Sequence, residues 1–148
     1  MFTRNVSRPL FQLYIMILKT QISLNLYGDR FSPYKFSQLT GVLFDATIEK
    51  GVTHLLSGRY KGQLSPYSSA TLSAETKTGQ DYNQVLYEFL QSFYDQINNH
   101  LNSSLVDNMT LWITFSFDKD GQYGFEIRPD ILLLLGEMKA TLATNINI

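Results

Sequence analysis

Two histidines, a pair of aspartates and one Gly-Arg-Lys cluster are the residues of this 148-residue chain whose types could do chemistry. His54 stands in a glycine-punctuated stretch, and His100 near the end of a helical run. Neither has a second histidine or an acidic cluster at metal-ligating spacing. A protonated histidine at a helix C-terminus is favoured by the helix dipole, which accounts for His100 without catalysis. Asp118 and Asp120, in "DKDG", have the closeness of paired acid–base carboxylates. They flank a hairpin tip, however, and the rest of an EF-hand-type calcium loop is missing. Turn chemistry is the expectation. Asp29, in "YGDRFSP", reads as a turn or cap residue beside Arg30, and "GRYKGQ" at 58–63 lacks the strand-to-helix setting of a phosphate loop. No serine sits in a nucleophile elbow. These residues predict no catalytic site, no metal and no cofactor, so the chain is expected not to be an enzyme.

What remains is a surface. On the outward faces of the predicted strands lie Ser23, Asn25, Tyr27, Trp112, Thr114, Ser116, Asn145 and Asn147. Rigid aromatic rings among small hydrogen-bonding side chains have the composition of adaptable binding surfaces, and Trp and Tyr are enriched at binding hot spots. Tyr27, Trp112 and Thr114, with the loop tyrosines Tyr60 and Tyr67, are the candidate partner-binding residues. The competing expectation is that residues 42–75 form a second layer over this face, which would make Trp112 ordinary core.

The elements that must position these side chains are legible in outline. From Ile22, alternation puts Ile22, Leu24 and Leu26 on one face of a strand. Ser32-Pro33 opens a short helix, with Ser as N-cap and Pro at its first position. Phe36 and Leu39 form its apolar face, and Gly41 ends it. "VLFDATIEKG" predicts a second strand with Val42, Phe44, Ala46 and Ile48 on one face. Residues 51–67, broken by Gly51, Gly58, Gly62 and Pro66, predict loop with one irregular strand. "SSATLSAET" alternates through Ala70, Leu72 and Ala74. A long helix is predicted over 81–101, with Asp81 and Gln84 at capping-box spacing. Its stripe is Val85, Leu86, Phe89, Leu90, Phe93, Ile97 and Leu101. "LWITFSF" returns to period two, with Leu111, Ile113, Phe115 and Phe117 inward. "DKDG" predicts a hairpin turn at Gly121, from which "QYGFEI" pairs back. Pro129 then opens "DILLLLG", ending at Gly136, and Leu142, Ile146 and Ile148 mark the last strand. Strand, Pro-started helix, Gly stop and strand thus occur twice, an internal quasi-repeat whose two copies would share one sheet.

Composition bounds the class. The chain is 44% hydrophobic and 14% aromatic, but only 17% charged, below the roughly 25% usual for globular chains. Net charge is −1, or −3 without Arg4 and Arg8 of the first fifteen residues. With no Lys/Arg cluster to neutralise phosphates, no nucleic-acid partner is expected. The absence of cysteine suits a reducing compartment, and a cytoplasmic location is expected. In "MFTRNVSRPLFQLYIMIL" the apolar run Leu10–Leu18 is interrupted by Gln12 and falls far short of the about 20 residues that span a bilayer. No membrane partner is expected. No small-residue cleavage site follows the run, and Met16 offers an alternative start. Residues 1–18 read as an extension, and 19–148 as a single α+β domain. Its sheet is expected to be mixed or mainly antiparallel, with one long helix and two short Pro-started ones.

Two segments carry a resemblance. "SLNLYGDRFSPYKFSQLTG" resembles the opening, S-l-r-i-x-G-d-x-l-x-P-x-x-i-t-x-l-l-G, of the bacterial domain-of-unknown-function family numbered 4279. "GFEIRPDILLLLGEMKATLATNINI" is similar to that family's closing segment, where Gly-Phe, a Pro and a short helix precede a final strand. The resemblance spans about residues 19–148 and is anchored by Gly28, Asp29, Pro33, Gly41, Gly124, Phe125 and Pro129. The chain departs from it at "SSATLS", where the family carries a Trp, and at Asn147-Ile148, where it has an acidic-aromatic pair. The family supplies no catalytic residues to carry over. Because some small proteins of this kind sit beside toxin genes, the resemblance implies an immunity-type protein that blocks the active site of a cognate toxin. The alternative is a small-ligand-binding or regulatory domain with a pocket between sheet and long helix.

Overall fold

The computed structural model describes residues 17–101, 105–120 and 124–148. Among these residues, three helices and five strands form an α+β fold with one mixed sheet. Strand β1, Ile17–Gly28, buries Ile22, Leu24 and Leu26, as its alternation predicts. It begins within the stretch set aside as an extension, pairing Ile17 with Phe117 across an irregularity before Lys19. Residues 1–16, including Met16, lie outside the described residues.

Helix α1, Pro33–Thr40, has the predicted caps: the Ser32 hydroxyl accepts from the Lys35 N–H at 3.3 Å, and Gly41 takes a left-handed φ of 77°. Phe36 is its buried apolar residue, whereas Leu39 points outward at 58% exposure. The predicted second strand is much shorter than "VLFDATIEKG". Val42 is buried, and Phe44 packs on Phe36 with ring centroids 5.8 Å apart. These contacts tie the start of the segment to α1, so sheet pairing begins only at Asp45, whose N–H donates to the Thr71 carbonyl. Strand β2 is Ala46–Ile48, and Ala46 is exposed instead of facing a core. The following loop contains one isolated bridge, His54 to Leu64. Strand β3, Ser68–Lys77, then buries Ala70 and Leu72.

Helix α2, Tyr82–Asn98, forms where the long periodic run predicts it. Asp81 accepts from the N–H groups of Asn83 and Gln84. The return half of the capping box is replaced: the Gln84 amide donates to Glu88 and accepts from Arg128. Leu86, Leu90 and Ile97 are buried, with Val85, Phe89, Phe93 and Leu101 partly so.

Strand β4, Asn108–Phe117, carries the predicted inward set. The hairpin beyond it is a correction. Gly121 and residues 122–123 lie outside the described residues, and Gly124–Ile127 is not a strand. This segment is held by side chains from the first turn of α2. The Tyr82 hydroxyl donates to the Glu126 carbonyl and accepts from its N–H, both at 2.8 Å. The Asn83 amide donates to the same carbonyl at 2.9 Å and accepts from the Arg128 N–H at 3.0 Å. Helix α3, Pro129–Glu137, continues through Gly136; the chain turns instead at Lys139, with φ 55°. Strand β5, Thr141–Asn147, pairs parallel to β4 with Leu142 half-buried. Ile146 and Ile148, expected inside, are 52% and 68% exposed because β5 is an edge strand.

The strand order is β2-β3-β1-β4-β5. Strand β1 is antiparallel to β3 and to β4, and β2 is antiparallel to β3, so β2 runs parallel to β1 with β3 between them. Both β1-α1-β2 and β4-α3-β5 are therefore parallel crossovers diverging from the central β1–β4 pair. The quasi-repeat is present in this form, with β4, not "QYGFEI", as the first strand of the second copy. One face of the sheet carries the core. Leu24, Leu72, Leu111, Ile113 and Phe115 cluster there with Leu86, Leu90 and Ile97 of α2 and with Ile131 and Leu135 of α3.

Candidate binding face

Among the described residues, no layer lies over the other face of the sheet. Period two, which turns Ile22, Leu24 and Leu26 toward the helices, turns Ser23, Asn25 and Tyr27 away from them. The register assembles the rest. Ser23 lies between Ser73 of β3 and Trp112 of β4, and Trp112 has Ala143 of β5 on its far side. One row toward the β1 C-terminus, Asn25 lies between Thr71 and Thr110, and Thr141 follows. One row the other way, Gln21 lies between Glu75 and Thr114, with Asn145 beyond. The indole of Trp112 therefore stands near the middle of the sheet, between a serine and an alanine too small to hide it. It is 40% exposed. Residues 42–75 leave it uncovered.

Polar groups on this face are partly pre-set. Asn25 Oδ1 accepts from the hydroxyls of Ser23 at 3.1 Å and Thr71 at 3.0 Å. Two donors on the oxygen fix the orientation of the amide and leave its N–H groups for a partner. Tyr27, 42% exposed, lies on Tyr67 with centroids 5.5 Å apart and planes 32° from parallel. At one end of the face Lys19 and Glu75 meet at 3.1 Å and Lys77 stands opposite Lys19, and at the β3 edge the Asp45 carboxylate accepts from the Ser73 N–H at 2.7 Å. A shallow depression of about 370 Å³ lies over Gln21, Ser23, Ser73 and Glu75.

Four of the five candidate residues thus meet on or beside one surface: Tyr27, Trp112 and Thr114 on the strands, with Tyr67 stacked at its rim. Tyr60 does not join them. It belongs to the loop before β3 with the Arg59 guanidinium 5.6 Å over its ring, and no ring contact links it to Tyr27 or Tyr67. Sequence reading overlooked Ser69, Thr71 and Ser73, although the inward series Ala70, Leu72 and Ala74 implies them by alternation.

The remaining chemistry-bearing residues have local partners. Asp29 binds Lys50 at 2.7 Å, and that hydrogen bond and charge hold its carboxyl below the usual range. Asp118 accepts from the Asp120 N–H at 3.0 Å, as a turn residue does. His54 lies in the isolated bridge, and His100 follows the end of α2. No group of three or more His, Cys, Asp or Glu able to hold a metal ion occurs among the described residues. No helix among them is long and apolar enough to cross a membrane. Comparison of the chain with protein-family models, with curated proteins and with solved structures finds no match.

Proposed function

We propose that the open sheet face is a protein-docking surface, and that the chain is an immunity-type protein which neutralises a cognate bacterial toxin by covering its active site. One observation carries the docking reading: a 40% exposed indole stands in the middle of a sheet face that no layer of the described residues covers. A half-exposed tryptophan, flanked by side chains short enough to let a partner reach it, can bury its ring and donate its N–H at an interface. Around it lie hydroxyls and amides, not charges, so docking would desolvate few ions. Four full strands about 4.8 Å apart and roughly 24 Å long give a bare patch on the order of 450 Å². A standard interface takes about 800 Å² from each partner, so docking would involve the whole face and its rim, Tyr67 included. The choice of a toxin as partner comes from the resemblance of the segments around Gly28–Gly41 and Gly124–Pro129 to the family numbered 4279. A cytoplasmic site of action, without chemistry of its own, completes the reading.

The test is protection of cells that express the toxin encoded beside this chain's gene, with affinity measured on the purified pair. Trp112→Ala is expected to weaken binding by ~2 kcal/mol or more, about 30-fold, with circular dichroism and melting unchanged. Loss of protection in a still-folded His54→Ala or His100→Ala chain would instead indicate an enzymatic mechanism and end this reading.

A further inference from the structure

The two edges of the sheet are unlike. On one side the sheet ends in β2, three residues long, and short edge strands are one way in which proteins avoid pairing with others. On the other side it ends in β5, seven residues paired to β4 in unbroken register from Thr141 to Asn147. Its sequence, TLATNIN, has no proline and no charged residue, and no bulge interrupts it. Proline, charge, a bulge and a short strand, the common devices for blunting an edge within the strand itself, are all missing from β5.

We propose that this edge pairs with β5 of a second copy of the chain, antiparallel about a two-fold axis at Thr144. Thr144 is the middle residue of the strand, and this register opposes Thr141 to Asn147, Leu142 to Ile146, Ala143 to Asn145 and Thr144 to itself. On the helix-bearing side each leucine meets an isoleucine, which gives the exposed Ile146 an apolar neighbour. On the open side, alanine, threonine and asparagine meet one another without charge. A slip of one residue would turn apolar side chains to the wrong face, and a slip of two would set Leu142, or in the other direction Ile146, against Thr144. Only the Thr144-centred register pairs all seven residues and matches them. It is isologous, as a two-fold contact must be.

Helix α3 supports the same arrangement. Its link to α2 is made by Glu137, which accepts from the Tyr94 hydroxyl. At 3.6 residues per turn, Leu132 and Gly136 lie on the flank turned away from Glu137. Leu132 is 48% exposed, and open space lies where a side chain on Gly136 would begin. The α3 helices of two copies joined through β5 can approach each other along that flank. The surface is separate from the open face, so this inference does not rest on the toxin-binding reading.

Sedimentation equilibrium of the full chain, with no partner present, is expected to give twice its 17.0 kDa mass. Thr144→Lys, at an exposed position, sets like charges face to face at the axis, which is strongly unfavourable in an interface. It is expected to raise the dimer dissociation constant roughly a hundredfold or more, with circular dichroism unchanged. The chain has no cysteine, so Thr144→Cys supplies a second readout. Opposed residues of an antiparallel pair have Cα atoms about 4.5–5.5 Å apart, within disulfide reach, and mild oxidation should link the two chains. Thr47→Cys, on the other edge, should not link. A monomeric wild-type chain, a dimer unmoved by Thr144→Lys, or a Thr144→Cys chain that fails to link would each overturn the proposal.

Discussion

Thr20 puts a hydroxyl into the core with nothing to bond. It is 1% exposed, it faces the helices opposite Phe115, and its Oγ1 has no hydrogen-bond partner among the described residues. A buried, unsatisfied polar group costs about 1–3 kcal/mol. Thr20→Val keeps the shape and the β-branch and removes the hydroxyl, so it is expected to raise stability by ~1–3 kcal/mol in urea unfolding. Alternation from Ile22 carries Thr20 to the inward face with its apolar neighbours, but it does not say whether a hydroxyl placed there finds a partner. Trp112 presents a parallel case. Its side of the strand was legible, yet its exposure was not. Alternation assigns a side chain to a face without saying whether another layer covers that face, and only the path of residues 42–75 decided it.

Among the elements, those with a long period were the most legible. Helix α2 repeats its stripe over 17 residues and carries its own cap, so pattern and local chemistry agree. The predicted second strand is shortened because the start of its segment stays with α1 instead of the sheet: Phe44 packs on Phe36, and the Val42 N–H donates to the Thr40 hydroxyl. Gly136 failed as a stop because a glycine inside a leucine-rich helix is tolerated at modest cost. The hairpin after β4 failed for a different reason: period two marks a strand without naming its neighbour. The place beside β4 went to β5, and the displaced segment found substitutes for strand pairing in Tyr82 and Asn83. That substitution is testable. Asn83→Ala removes one hydrogen bond to the Glu126 carbonyl and one from the Arg128 N–H. A cost of ~1–2 kcal/mol is expected for the two. Hydrogen exchange should show the Arg128 amide losing protection while β1 amides keep theirs.

At the scale of the whole molecule, pH should act from both ends. Asp29, through its hydrogen bond to Lys50, and Asp130, through that to Arg128, titrate below 3.8 when folded. The unfolded chain therefore binds protons first as pH falls. Their stabilisation is present above about that pH and is lost as pH drops through the folded values. Tyr94, through its bond to Glu137, and Tyr82, through burial, titrate above 10.0. Their contribution is present below that pH and lost as pH climbs through the folded values. Thermal melts across pH should fall off at both extremes, with the alkaline limb flattened in Tyr94→Phe. The strand order also governs how the chain reaches this state. The central strand, β1, takes its two neighbours from far along the chain: Ser23 pairs with Ser73 on one side and with Trp112 on the other. Contacts so distant in sequence are slow to form. A refolding chain that has closed β1 onto β3 must then wait for β4, with a nearly uncharged twelve-residue edge bare in the meantime. Misassembly during refolding should begin there, and yield should fall steeply with protein concentration even where the finished fold is stable.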